Sequence, residues 1–177
     1  MIKPSWDEYF MDMTYLIAQR SIDPSTKCGC IIVSDDHAVL SVGYNNPPSD
    51  CDDDNTPLGR PEKYDYFVHS EENAILNAAR KGISLDGSTA YITGTPCCRC
   101  FRGLLGAGIK RIIYGPNTAK MSDEQQETVK KFMNKSHKTK HDKIEIIEFK
   151  GKIGGALCET SEYIKNKFGA YVINNNI

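Results

Sequence analysis

His69-Ser70-Glu71-Glu72-Asn73-Ala74-Ile75, followed by Pro96-Cys97-Cys98-Arg99-Cys100, supplies three zinc-ligand side chains and a carboxylate two residues after the histidine. A structural zinc is closed by four protein ligands, whereas a catalytic zinc keeps a position for water. One imidazole, two thiolates and a neighbouring Glu therefore point to hydrolysis at an open zinc, with His69, Cys97 and Cys100 as ligands and Glu71 as proton shuttle. Cys97 and Cys100 stand three apart just after Thr95-Pro96, a helix-opening pair, so a helix places both sulfurs on one face. The positive end of that helix lowers thiol pKa and favours thiolate. His69 opens a second helix, and two helix N-termini would then meet over one ion.

Other readings of the same residues stay open at this level. Cys98 with Cys100 could also chelate, although helix geometry favours spacing of three over two. A lone C-x-x-C could be redox-active, but a thioredoxin-like site has no use for an upstream H-x-E. A closed structural zinc would need a fourth ligand, for which Cys28, Cys30 and Cys51 are candidates. Glu71 could serve only as a helix N-terminal charge, a role open equally to Glu72.

Working outward, residues 5–20 carry Trp6, Tyr9, Phe10, Met13, Leu16 and Ile17 at helical spacing, with Ser5 and Glu8 placed as a capping box. That stripe is expected to face the core. Residues 28–34 and 38–44 read as a hairpin about Asp35-Asp36-His37. Residues 45–66 are rich in Pro, Asp, Asn and Gly, show no period, and read as one long loop of the kind that carries function. The helix from His69 is expected to bury Ala74, Ile75, Ala78 and Ala79 and to stop at Gly82. Strands over 89–93, 111–114 and 143–149 alternate with helices over 97–107 and 122–134, the latter begun by a Ser122/Gln125 box, and a tail helix is expected over 161–168. Alternation of this kind implies an α/β domain, a central sheet covered on both faces.

The chain's 177 residues suit one domain with its own core. With 22 Lys and Arg against 23 Asp and Glu, the net charge is −1, which gives no electrostatic footprint for nucleic acid. The run of lysines and histidines from Lys130 to Lys143 reads as a solvated helix end and loop. Seven cysteines, an odd count, without an apolar leader suggest a reducing, cytoplasmic setting, and no apolar run reaches membrane-spanning length. A small-molecule substrate and no membrane partner follow.

H-x-E with a later P-C-x-x-C matches the signature of zinc-dependent nucleobase deaminases. The similarity continues in Trp6-Asp7-Glu8-Tyr9-Phe10-Met11, in Arg20-Ser21-Ile22-Asp23-Pro24-Ser25-Thr26, in Gly43-Tyr44-Asn45-Asn46, in Cys51-Asp52-Asp53 and in Lys63-Tyr64-Asp65-Tyr66. Together these stretches resemble the deoxycytidylate deaminase family of the cytidine deaminase superfamily, over residues 6 to about 124. The resemblance implies a three-layer α/β/α fold with a central five-stranded mixed sheet, and conversion of dCMP to dUMP for thymidylate synthesis. It implies Asn45 near the sugar, Ser70 backbone at the cytosine edge, and Thr26, Arg60 and Lys63 as further substrate contacts. It further implies one Zn2+ per chain, Mg2+ with a nucleoside triphosphate effector, activation by dCTP, inhibition by dTTP and a hexameric assembly, with Asn46, Asp50 and Arg80 at the regulatory position.

The chain departs from the family pattern at several places. Ser70 replaces the usual Ala, Asn46 stands where Gly is typical, Asn77 where some regulated relatives are aromatic, and Ala119 where a substrate-contacting Tyr is expected. Ser21 or Ile22 takes the place of the Cys that holds a second zinc in some relatives. A superfamily enzyme acting on dCTP, cytidine, guanine or tRNA adenosine is an alternative, as is a non-catalytic zinc module that binds a nucleotide.

Overall fold

A computed structural model of the chain describes residues 3–117, 122–134 and 144–154. Five strands, β1 (Gly29–Val33), β2 (Val39–Tyr44), β3 (Thr89–Gly94), β4 (Arg111–Asn117) and β5 (Glu145–Glu148), form one sheet in the order β2-β1-β3-β4-β5. β1 runs antiparallel to both neighbours, while β3, β4 and β5 are parallel, so the sheet is mixed. Parallel neighbours need crossovers, and helices α3 (Ser70–Arg80), α4 (Cys98–Gly106) and α5 (Asp123–Asn134) alternate with these later strands. Helix α1 (Trp6–Ala18) covers the opposite face. This is the expected three-layer α/β/α arrangement.

The core has two parts, one on each side of the sheet. Phe10 and Met11 of α1 pack on Ile31, Val33, Tyr91 and Ile113. Ala74, Ala78, Phe101 and Leu104 pack on Cys30, Ile32, Ala90, Ile92 and Ile112. Adjacent β1 residues thus feed opposite layers, as period-two side chains must, and β1 is buried throughout. No described helix is long and apolar enough to cross a membrane.

Ser5 and Glu8 form the expected capping box on α1. The buried face of that helix is rotated from the apolar stripe: Phe10, Met11, Thr14 and Ala18 are buried, whereas Trp6, Tyr9 and Leu16 are exposed. The cause is close approach, since a Cβ at Gly29 would overlap Thr14 O and crowd Ala18. Thr14 and Ala18 therefore stand at the point of closest approach, while Phe10 and Met11 pack on the sheet beside it. On helix α3, Ala74 and Ala78 are buried, Ile75 is half-buried and Ala79 is exposed, contrary to expectation for Ala79. Polar residues share its inner face. Ser41 Oγ donates to Ala74 O at 2.7 Å, Asn73 Nδ2 to Tyr44 O at 2.9 Å and Asn77 Nδ2 to Val42 O at 2.9 Å. These bonds dock α3 along β2, next to Gly43, where a Cβ would overlap Ser70 O and Ala74 N.

Residues 45–66 are not a single loop. They contain a short helix, α2 (Lys63–Tyr66), and an isolated bridge pairs Asn46 with Val68. A helix of four residues is too short to leave a period in the sequence. The strand expected over 111–114 extends to Asn117, and the one expected over 143–149 is Glu145–Glu148. Ala119, most of the basic run and the tail helix expected over 161–168 lie outside the described residues.

Candidate active site

Two helix starts supply the metal-ligand set. His69 is the N-cap of α3 and Cys97 the N-cap of α4, each in extended backbone conformation, so their side chains project beyond the helix ends. Cys100 lies on the first turn of α4. His69 Nδ1 is 3.6 Å from Cys97 Sγ and 3.3 Å from Cys100 Sγ, and the three ligand atoms lie within 4.8 Å of one another. Among the described residues no other group of His, Cys, Asp and Glu is gathered in this way. Cys98 points elsewhere, its Sγ 3.1 Å from Gln125 O of α5. Cys30 belongs to the core and Cys51 is exposed.

The donor set fits a zinc ion. One imidazole and two sulfurs are soft-to-borderline ligands of the type zinc takes, and three of them leave a coordination position. The electrostatics favour a thiolate. The Cys100 thiol, which donates to it, and His69 hold Cys97 down to about 3, against burial. Cys100 is pushed upward by the same bond and by burial. His69 is raised, chiefly by its bond to Cys97.

Glu71 stands in the first turn of α3 and is buried, with 6% of its surface exposed. Burial raises its proton affinity, opposed by its own backbone N–H and by the Ser70 hydroxyl. Ser70 Oγ donates to Glu71 Oε2 at 2.9 Å, a contact that an alanine could not make. Glu72, by contrast, faces outward and pairs with Arg99 of α4 at 2.8 Å. The two adjacent carboxylates are thereby distinguished, one toward the cavity and one bracing the two helices from outside.

A cavity of about 370 Å³ opens over this centre, with His69, Ser70, Glu71 and Cys97 in its lining. Thr26, Asn45, Arg60 and Lys63 line it as well, so every residue expected near substrate is brought to one place. Their states differ. Asn45 is committed to the protein: Nδ2 donates to Thr26 O at 2.8 Å, and Oδ1 accepts from Cys28 N at 2.6 Å. Lys63 is buried and bound to both oxygens of Asp23, at 2.8 and 2.7 Å. Arg60 is exposed, its guanidinium 5.9 Å from the Tyr64 ring centre. Asp23, Tyr64, Phe67 and Thr93 were not singled out as substrate contacts from sequence, although Asp23 sits inside the quoted Asp23-Pro24-Ser25-Thr26 stretch and Tyr64 inside Lys63-Tyr64-Asp65-Tyr66.

The three residues expected at a regulatory position do not line the cavity. Asn46 is buried, accepting from Ile22 N at 3.2 Å and donating to Asp53 at 3.1 Å. Asp50 and Arg80 form an exposed ion pair at 3.4 Å.

A family model described as the cytidine and deoxycytidylate deaminase zinc-binding region matches residues 4–116, from the start of α1 into β4. The chain belongs to this family. As a member of the zinc-binding deaminase family it is a hydrolytic enzyme, and the matched region contains His69, Glu71, Cys97 and Cys100. Deoxycytidylate deaminases of Pongo abelii and Homo sapiens are each 37% identical over 125 residues, covering 67% of this chain and 69% of each relative. The crystal structure of dCMP deaminase from the cyanophage S-TIM5 in apo form is 26% identical with a TM-score of 0.60, covering 84% of this chain and all of that one.

Proposed function

We infer that the chain deaminates dCMP to dUMP and ammonia. The observation that carries this is a buried carboxylate, Glu71, beside a three-ligand zinc set in one cavity whose exposed rim carries Arg60. When zinc is bound by His69, Cys97 and Cys100, it supplies a Lewis-acid position that lowers the pKa of water. Glu71 accepts a proton from the attacking water and passes it to ring N3 as oxygen adds to C4. Glu71 then takes the remaining proton of the hydroxyl at C4 and delivers it to the exocyclic amine, which leaves as ammonia as the C4–N bond breaks and the C4 carbonyl forms. The raised proton affinity of Glu71 suits a group that must hold the proton between transfers.

Charge accounting supports a monophosphate. Lys63 is neutralised by Asp23, so Arg60 is the lining cation that no described carboxylate pairs. A single guanidinium can bind one phosphate group bidentately. Asn45 and the adjoining Thr26 segment would face the sugar, and the backbone at Ser70 the cytosine edge. The deoxycytidylate deaminase relatives favour the same substrate.

Regulation by dCTP and dTTP with Mg2+ and hexamer formation accompany this proposal and rest on the sequence resemblance, whereas a cytoplasmic location rests on the odd cysteine count. In the regulatory reading an effector phosphate would compete with Asp50 for Arg80, the two forming an exposed pair. The decisive experiment is ammonia release from dCMP, dCTP, cytidine and deoxycytidine, each with and without dCTP or dTTP and magnesium. Preference for dCMP is expected. Equal or better turnover of dCTP or cytidine would overturn the substrate assignment, and rates unresponsive to both triphosphates would remove the regulatory one.

A further inference from the structure

Part of the cavity wall is built from two segments far apart in the chain, residues 21–28 and 60–67, and one buried ion pair joins them. Lys63 Nζ reaches both carboxylate oxygens of Asp23, and the two side chains are 3% and 6% exposed. It lies 3.4 Å from Ser25 Oγ and within 6 Å of the Tyr64 and Phe67 ring centres. Burying an ion pair is costly in desolvation, and the best-attested use of such a pair is to fix a register. The arrangement around Asp23 has that form. Its carboxylate also accepts from Ser25 N at 2.8 Å, Thr26 N at 3.3 Å and Asn45 Nδ2 at 3.3 Å. Asn45 in turn holds Thr26 O and Cys28 N, while Ser21 Oγ donates to Asn45 O at 2.6 Å.

One carboxylate therefore organises the segment that faces the sugar, and one lysine ties that segment to α2 and the turn carrying Arg60. Burial alone would raise the Asp23 carboxyl, but the Lys63 bond and the Ser25 and Thr26 N–H groups outweigh it and favour the carboxylate. Resting on the deaminase reading above, the geometry points to Asp23–Lys63 as a positioning latch that sets the span from Arg60 to Glu71. Through that span it selects a 5′-monophosphate over the bare nucleoside. Lys63 then acts on the phosphate through Arg60 and does not bind it.

The test compares Lys63→Met, Lys63→Arg and the doubly neutral Asp23→Asn/Lys63→Met, all as zinc-loaded full chain. The ratio of kcat/KM for dCMP to that for deoxycytidine is expected to fall about tenfold or more in both neutral forms. Lys63→Arg should recover most of it. Amide exchange over residues 21–28 should quicken about tenfold in the neutral forms, with β1 and α3 unchanged. A folded double variant that keeps both the dCMP preference and the protection of 21–28 overturns the latch. Should neither neutral form fold, Asp23→Glu decides, because it keeps the charge and lengthens the arm; a wild-type ratio there counts against the proposal. If the wild type shows no preference for dCMP, the substrate reading fails, while the exchange measurement still judges the latch.

Discussion

Glu71 and Glu72 are neighbours of the same chemistry with opposite surroundings, and that difference is what makes the site directional. Glu71 is enclosed and bonded by Ser70, whereas Glu72 braces Arg99 at the surface. Glu71→Gln keeps the size and removes the exchangeable proton. It is expected to retain one zinc per chain and to lose about 10²–10⁴-fold or more in kcat, measured by metal analysis beside ammonia release. A variant with substantial turnover would sink the proton-shuttle role. The cysteines offer a second contrast. Cys97→Ala should lose zinc, whereas Cys98→Ala should keep a full complement, since Cys98 Sγ faces Gln125 O. Equal zinc loss in both would mean that the ligand pair is misassigned. These ligands were legible in the sequence because chelation imposes local spacing. The state of Lys63 was not, because its partner Asp23 is 40 residues away and nothing in either neighbourhood announces the other.

At the scale of elements, capping boxes were readable at both Ser5 and Ser122, where Ser122 N donates to Gln125 Oε1 and Gln125 N to Ser122 Oγ. Which helix face is buried was less legible. Apolar periodicity marks a broad stripe, but Gly29 and Gly43 bring helices so near the sheet that only small or hydrogen-bonding side chains fit between them. Trp6, Leu16 and Ala79 lie exposed, outside those contacts. Gly43 reads as part of the second hairpin strand, and its larger role is to admit the α3 backbone. Gly43→Ala should therefore cost about 1–3 kcal/mol through overpacking. Urea unfolding would register the loss, and an unchanged midpoint would show that α3 can retreat freely.

For the molecule as a whole, two carboxylates, the half-buried Asp7 and the buried Asp23, are held below their ordinary range. Asp7 overcomes burial through Arg111, at 2.9 and 3.0 Å, and through the Tyr91 hydroxyl at 2.7 Å; Asp23 does so through Lys63. A carboxyl whose folded pKa lies below its unfolded value stabilises the fold fully above that unfolded value, here 3.8, and loses the contribution as pH falls through the folded one. Thermal stability should accordingly drop as pH is lowered beneath about 4. Asp7→Asn should flatten that dependence while lowering stability at neutral pH. A pH-independent melting temperature between about 5 and 3 would show that neither pair is coupled to folding.

Gly29 and Gly43 stand on neighbouring strands, one facing α1 and the other α3, with Cys30 paired to Gly43 and Gly29 to Tyr44. Helices on both sides of the sheet thus approach it closely at neighbouring positions, beside the helix start that carries His69 and Glu71. Positions 29 and 43 should be as intolerant of substitution in a saturation scan as the zinc ligands themselves. A profile of mutational sensitivity would then mark as essential two residues that touch neither metal nor nucleotide, and whose whole contribution is the side chain they lack.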